Sequence, residues 1–129
     1  MSMYMKFGDF KGDVTAPDHV GWIDLRGFGS SPNPGATLPI GCGYPNGGRI
    51  EITVLDPSPA SDMFHQAEKT RNSAEATIDV VIGDRISSRM AVDHASVLSS
   101  STSSVGIVRT SKFLLSFSSL NCVPRSIIE

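Results

Sequence analysis

Apolar and polar side chains alternate along most of this chain, and where they do so the period is two. In residues 3–7, Met3, Met5 and Phe7 fall on one face and Tyr4 and Lys6 on the other. A second run places Ile23 and Leu25 on one face and Val20, Trp22 and Phe28 on the other. Successive side chains leave a pleated backbone on opposite sides, so this spacing predicts strands. Neither face of the second run is mainly polar, which predicts cover on both sides. Between the two runs, Gly12, Asp13, Pro17 and Asp18 supply turn chemistry. In RIEITVL, residues 49–55, Ile50, Ile52 and Val54 oppose Arg49, Glu51 and Thr53, the pattern of a half-buried strand.

The period changes once. Asp56, Pro57 and Pro59 end the strand, and Ser61 stands where an N-cap would, with Asp62 in a first turn that favours negative charge. Met63, Phe64, Ala67 and Thr70 then share a face, with Glu68, Lys69 and Arg71 turned outward and Asn72 as a stop. This predicts a helix over 61–72. From Ala74 the alternation resumes, with Ala76, Ile78, Val80 and Ile82 against Glu75, Thr77 and Asp79. Gly83, Asp84 and Arg85 predict a tight hairpin, and ISSRMAVDHASVL a less regular return strand. The serine-threonine run 99–104 reads as a mobile turn. A last long strand, VRTSKFLLSFSSLNCV, carries Phe113, Leu115 and Phe117 on one face, and Pro124 ends regular structure, leaving 125–129 to fray.

The sum is mainly β. No βαβ alternation appears, and the pattern suits a small antiparallel β-barrel of two sheets with one short α-helix flanking the barrel. The 129 residues are expected to form one domain, 1–129, large enough for a core of its own. Residues 29–48 interrupt the pattern: Pro32, Pro34, Pro39 and Pro45 among glycines exclude a central strand or a continued helix. An exposed loop is expected there, and its sharper reading is a contact with a neighbouring subunit. It is no phosphate-binding loop, because no Lys-Ser/Thr pair follows the glycines and no helix opens there.

Charge and candidate chemistry narrow the function classes. A net charge of −2 with no basic run gives no footprint for nucleic acid or an anionic membrane. No apolar run approaches the ~20 residues that span a bilayer. The start lacks a charged stretch followed by an apolar one, so no cleaved signal peptide is expected. Cys42 and Cys122 lie far apart without metal-type spacing and are expected as two reduced thiols. His19, His65 and His94 are isolated from other ligand residues. Asp93, His94 and Ser96 have the letters of a triad, but neighbours on a strand point to opposite faces. The serines form no Gly-x-Ser-x-Gly elbow. Asp24, Glu51 and Asp79, on outward strand faces, are expected to solvate the sheet rather than to pair as acid and base. No catalytic, cofactor-binding or metal residue is expected, and no cofactor. The competing enzyme reading is a small hydrolase built on His94 or His65 with a carboxylate.

The opening Tyr4-Met5-Lys6-Phe7, the turn region around Gly8 and Asp9, and His19-Val20-Gly21-Trp22-Ile23-Asp24-Leu25 together resemble the haemolysin co-regulated protein (Hcp) family. The likeness continues in order through Gly48-Arg49-Ile50, Ser58-Pro59 and its helix, AEATIDVVIGD, and the closing strand with Leu115 and Phe117. The segment before the helix is shorter than usual in that family and rich in proline, and the closing strand carries Ser118, Ser119 and Cys122 where acidic residues and tyrosine are common. The resemblance implies a structural subunit of the type VI secretion tail tube. Such subunits form rings of six that stack into a channel and can carry effectors. It also implies spike, baseplate and sheath proteins and effectors as partners, and passage from the bacterial cytoplasm to the outside through that system. The alternative is a divergent Hcp-like binding module that acts as a monomer or dimer.

Overall fold

The computed structural model describes residues 2–30 and 47–123. The elements are β1 (Ser2–Phe7), β2 (Ile23–Leu25), β3 (Gly27–Ser30), β4 (Gly48–Leu55), α1 (Pro59–Thr70), β5 (Ala74–Ile82), β6 (Arg85–Val105), β7 (Val108–Phe117) and β8 (Ser119–Cys122). All pairings are antiparallel, in the order β2-β1-β5-β6-β7-β4-β3, with β8 also paired to β6. The mainly β architecture with one flanking helix is as the alternation predicts.

One strand makes two sheets of this path. The first half of β6 lies in one sheet, with Arg85 opposite Ile82 at one end and Ala95 opposite Ala74 at the other. Its second half, from Ser96 to Val105, pairs with β7 in the other sheet. The turn between them is made by bulges: the β5–β6 register shifts between Ala74 and Ala76, the β6–β7 register between Val97 and Ser99, and His94 sits at φ 54. An extra residue bends and twists its strand, which is how a strand changes sheets. The two ends of the path, β2 and β3, are joined through Arg26, whose N–H donates to the Thr53 carbonyl at 2.7 Å. The hydrogen-bonded ladder is therefore open between β2 and β3, and the expected barrel is not closed there.

The interior is apolar. Met5, Ile23, Ile50, Ile52, Ile78, Met90, Val92, Phe113 and Leu115 are buried, and Phe64 of α1 sits between Phe7 (ring centroids 5.3 Å) and Phe113 (5.2 Å). Ile50, Ile52, Ile78, Phe113 and Leu115 lie on the apolar faces that the alternation marked.

Several local expectations are corrected. The helix covers 59–70 rather than 61–72. Ser58 is its N-cap, and Ser58 and Ser61 satisfy each other's backbone N–H groups at 3.0 Å. Pro59 opens it, where a missing N–H costs nothing, and Arg71, not Asn72, caps its end in the left-handed region. The second run is not a strand covered on both sides: only Ile23–Leu25 is extended, Val20 is 73% exposed, Trp22 is half-buried, and Phe28 belongs to β3 beyond the corner at Arg26. The run 99–104 is not a turn. It is ladder, paired residue by residue with β7, and the turn comes later at Gly106 and Ile107. The last strand is broken at Ser118 into β7 and β8. In β5 the predicted face holds for Ala76 and Ile78 and then drifts, leaving Ile82 exposed, because the register slips between Val80 and Val81. Residues 31–46 and 124–129, and with them Cys42 and most of the proline-rich loop, lie outside the described residues.

Candidate functional site

The largest departure from the sequence reading is on the outer face of the first sheet. Asp24, Tyr4, Asp79 and Arg89 are register partners across β2, β1, β5 and β6, so their side chains form one row on one face. Asp79, expected to solvate the sheet, is completely buried. The cover comes from the segment between β1 and β2. It folds on itself through Gly12 N–H to Gly21 O at 2.7 Å, Val14 N–H to Trp22 O at 3.2 Å and Gly21 N–H to Val14 O at 2.9 Å. A side chain at Gly12 would meet the Trp22 carbonyl oxygen at 2.4 Å, so the close approach of these two stretches requires glycine there. This hairpin-like strap lays His19 and Trp22 over the row.

The resulting cluster is fully satisfied. Arg89 donates Nε to Asp79 Oδ1 and Nη2 to Oδ2, both at 2.7 Å. His19 Nε2 lies 2.8 Å from Oδ2 and is the donor there, since an ionised carboxylate only accepts. Tyr4 and Trp22 pack against the His19 ring at centroid distances of 4.7 Å each, and the Arg89 guanidinium lies 6.0 Å from the Trp22 ring centre. The hydrogen bonds that Arg89 donates to Asp79 raise its pKa above the ordinary value, its burial and the carboxylate's charge adding opposed, smaller effects. A buried carboxylate held by three charge-assisted donors is what desolvation demands. With the carboxylate completely buried beneath the strap, the cluster acts as a clamp that fixes it.

The other candidates separate in space. His94 is exposed in the β6 bulge, its Nδ1 3.1 Å from Ser118 Oγ and 4.0 Å from Glu75 Oε1. Both neighbours address the same nitrogen, so no relay through the ring exists. Asp93 bonds instead with Ser119 Oγ at 2.8 Å, and that hydroxyl, with Glu75 and His94 behind it, holds its pKa below the ordinary value. His65 lies edge-on to Phe113 at 4.9 Å on the helix. Glu51 lies in β4 opposite Leu114, apart from Asp79 and from the row that holds Asp24. Among the described residues no group of three or more His, Cys, Asp or Glu could hold a metal ion. Cys122 is half-buried in β8 opposite Met90.

What the surface offers is an edge. Residues 96–105 of β6 pair on one side only, with β7, among the described residues. The 98–105 stretch, LSSSTSSV, has no proline and no charge, the devices that keep natural edges from pairing. Its Ser100 hydroxyl donates to Glu68 of α1 at 2.7 Å, and Thr102 bonds Ser111 at 3.0 Å, which hold the strand straight against the helix and β7.

No protein-family profile and no curated protein matches this sequence. Solved structures do match. Hcp1 from the E. coli EAEC 042 pathovar, in a mutant form, superposes with a TM-score of 0.78 at 12% identity, over 100% of this chain and 95% of that one. The fold is the Hcp fold. Hcp2 from Salmonella typhimurium aligns at a TM-score of 0.70 and 10% identity, over 91% of this chain and 81% of that chain. The secreted protein Hcp3 from Pseudomonas aeruginosa aligns at 0.64 and 12%, over 90% and 85%. With so few identities retained, the likeness is one of fold.

Proposed function

We propose that this chain is a divergent Hcp protein, a structural subunit of a type VI secretion tube that joins other copies of itself into rings. The observation that carries this is the second half of β6, which among the described residues pairs with β7 alone, within an Hcp fold. An uncharged, proline-free edge invites a strand from another copy, and repetition of one head-to-tail contact closes a ring. The work is structural: the ring stacks into a channel, effectors travel in its lumen, and no bond is broken. Spike, baseplate and sheath proteins would be its partners at the tube's ends and outer wall. The chain would leave the bacterial cytoplasm through the same system.

Ser101 and Ser103 are exposed on one face of that edge. Replacing both with lysine should leave the circular dichroism of the subunit unchanged and lower the mass of the assembled particle. A double variant that assembles as the parent does would remove the β6 edge from the account. A parent chain that stays a single subunit at every concentration would favour the binding-module alternative.

A further inference from the structure

Six large hydrophobic side chains are exposed among the described residues. Three of them, Val105, Ile107 and Val108, sit at the tip of the β6–β7 hairpin, and Leu55 ends β4. The other two, Val20 and Ile82, mark opposite ends of the first sheet. β1 runs from Ser2 opposite Val81 to Phe7 opposite Ala76. Ile82 follows Val81 at one end, and Val20 lies beside the residues that follow Phe7 at the other. At about 3.4 Å per residue, roughly 17 Å of strand separates the two ends.

At the Phe7 end, β1 and the strap enclose a groove of about 340 Å³. Val20, 73% exposed, and the half-buried Phe10 and Trp22 give it an apolar lining, while Lys6, Asp9 and Lys11 are exposed around it. A side chain added at Gly21, also in the lining, would meet nothing within 4 Å, so the groove is open to the outside. At the other end, Gly83 and Asp84 alone join β5 to β6, with Ile82 opposite Arg85. Gly83, at φ 66, takes the backbone conformation that a two-residue turn needs. The turn is thus built in advance and loses little freedom on docking. Ile82 is 56% exposed, and Asp84 and Arg85 are exposed beside it. None of Lys6, Asp9, Lys11, Asp84 and Arg85 has an ion-pair partner within the chain. All five charges are therefore uncommitted.

We infer that the turn 82–85 of one copy seats in the strap groove of a second copy of this chain. Ile82 covers Val20 and Trp22, Asp84 faces Lys6 and Lys11, and Arg85 faces Asp9. Because turn and groove stand at opposite ends of one ladder, a copy displaced along the strands brings them together without rotation. A contact of that kind repeats as a line and closes no ring. The inference rests on the tube reading above and deepens it: the β6 edge joins copies within a ring, and the turn joins one ring to the next.

The test is photo-crosslinking in the full chain with benzoylphenylalanine at position 82, concentrated until rings stack in negative-stain images. Links between chains that map by mass spectrometry to residues 6–11 or 20–22 are the expected result. In parallel, Asp84→Lys should keep the parent's melting temperature and ring mass and lose the stacks. Adding Lys6→Glu and Lys11→Glu to Asp84→Lys should restore them. Links confined to one chain, links to another surface, stacks that survive Asp84→Lys, a triple variant that does not stack, or parent rings that never stack would each overturn the docking while leaving ring formation intact. A parent chain that stays a single subunit at every concentration would overturn both.

Discussion

Asp79 decides the character of the outer face of the first sheet. A carboxylate on a strand normally lies in water, but here the strap between β1 and β2 crosses over it and excludes solvent entirely. Two donor atoms of Arg89 and one of His19 replace the lost water. Removing a single partner leaves the others buried without compensation, which typically costs 3–5 kcal/mol. The Arg89 side chain keeps 28% of its exposure and can recover some hydration, so Asp79→Ala should destabilise by about 3 kcal/mol, measured by urea denaturation. A change below about 0.5 kcal/mol, the range of ordinary surface positions, would mean that the strap is not held there. Trp22 takes part in the same clamp as a half-buried neighbour of His19 and Arg89, not as the core residue that its face of the second run suggested. The cluster was invisible in sequence because His19 and Asp79 are separated by 60 positions and meet only through tertiary structure. The alternation of β5 marked the outward face correctly. It carried no sign that this face would be covered.

At the scale of elements, the strands of the core were legible and their interruptions were not. Ile50, Ile52, Val54, Phe113, Leu115 and Phe117 are buried because a period-two pattern leaves a half-buried strand no other register that keeps them from water. The serine run is the opposite case. Serine has little preference for strand, and pairing with Arg109 to Leu114 overrode composition. The helix start shows a signal that was present and passed over. Ser58 followed by Pro59, with Ser61 three places on, has the spacing of a reciprocal cap, only with serine where Glu or Gln is usual. Ser58 also donates its hydroxyl to the Leu55 carbonyl at 2.7 Å, tying the helix to the end of β4. Ser58→Ala should therefore cost about 1–2 kcal/mol, the upper part of the N-cap range, read as a lowered denaturation midpoint at unchanged slope. No loss of stability would mean that the cap is replaced by water without penalty.

At the scale of the whole molecule, the fold and the surface point to the same task. Among the described residues the interior is an apolar core, the histidines and carboxylates considered above are clamped or scattered, and the surface carries an uncharged strand edge and an apolar hairpin tip. Both are means of joining protein to protein. The Hcp fold was legible in sequence through Tyr4 to Phe7, His19 to Leu25 and the closing Leu115 and Phe117. The joining surfaces were not, because an edge exists only once the strands beside it are known. The measurement that bears most directly on this account is native mass by light scattering behind a sizing column, over a range of concentrations. The account predicts a particle near six times the 13.7 kDa subunit. A mass that stays at one subunit up to the highest concentration would contradict it.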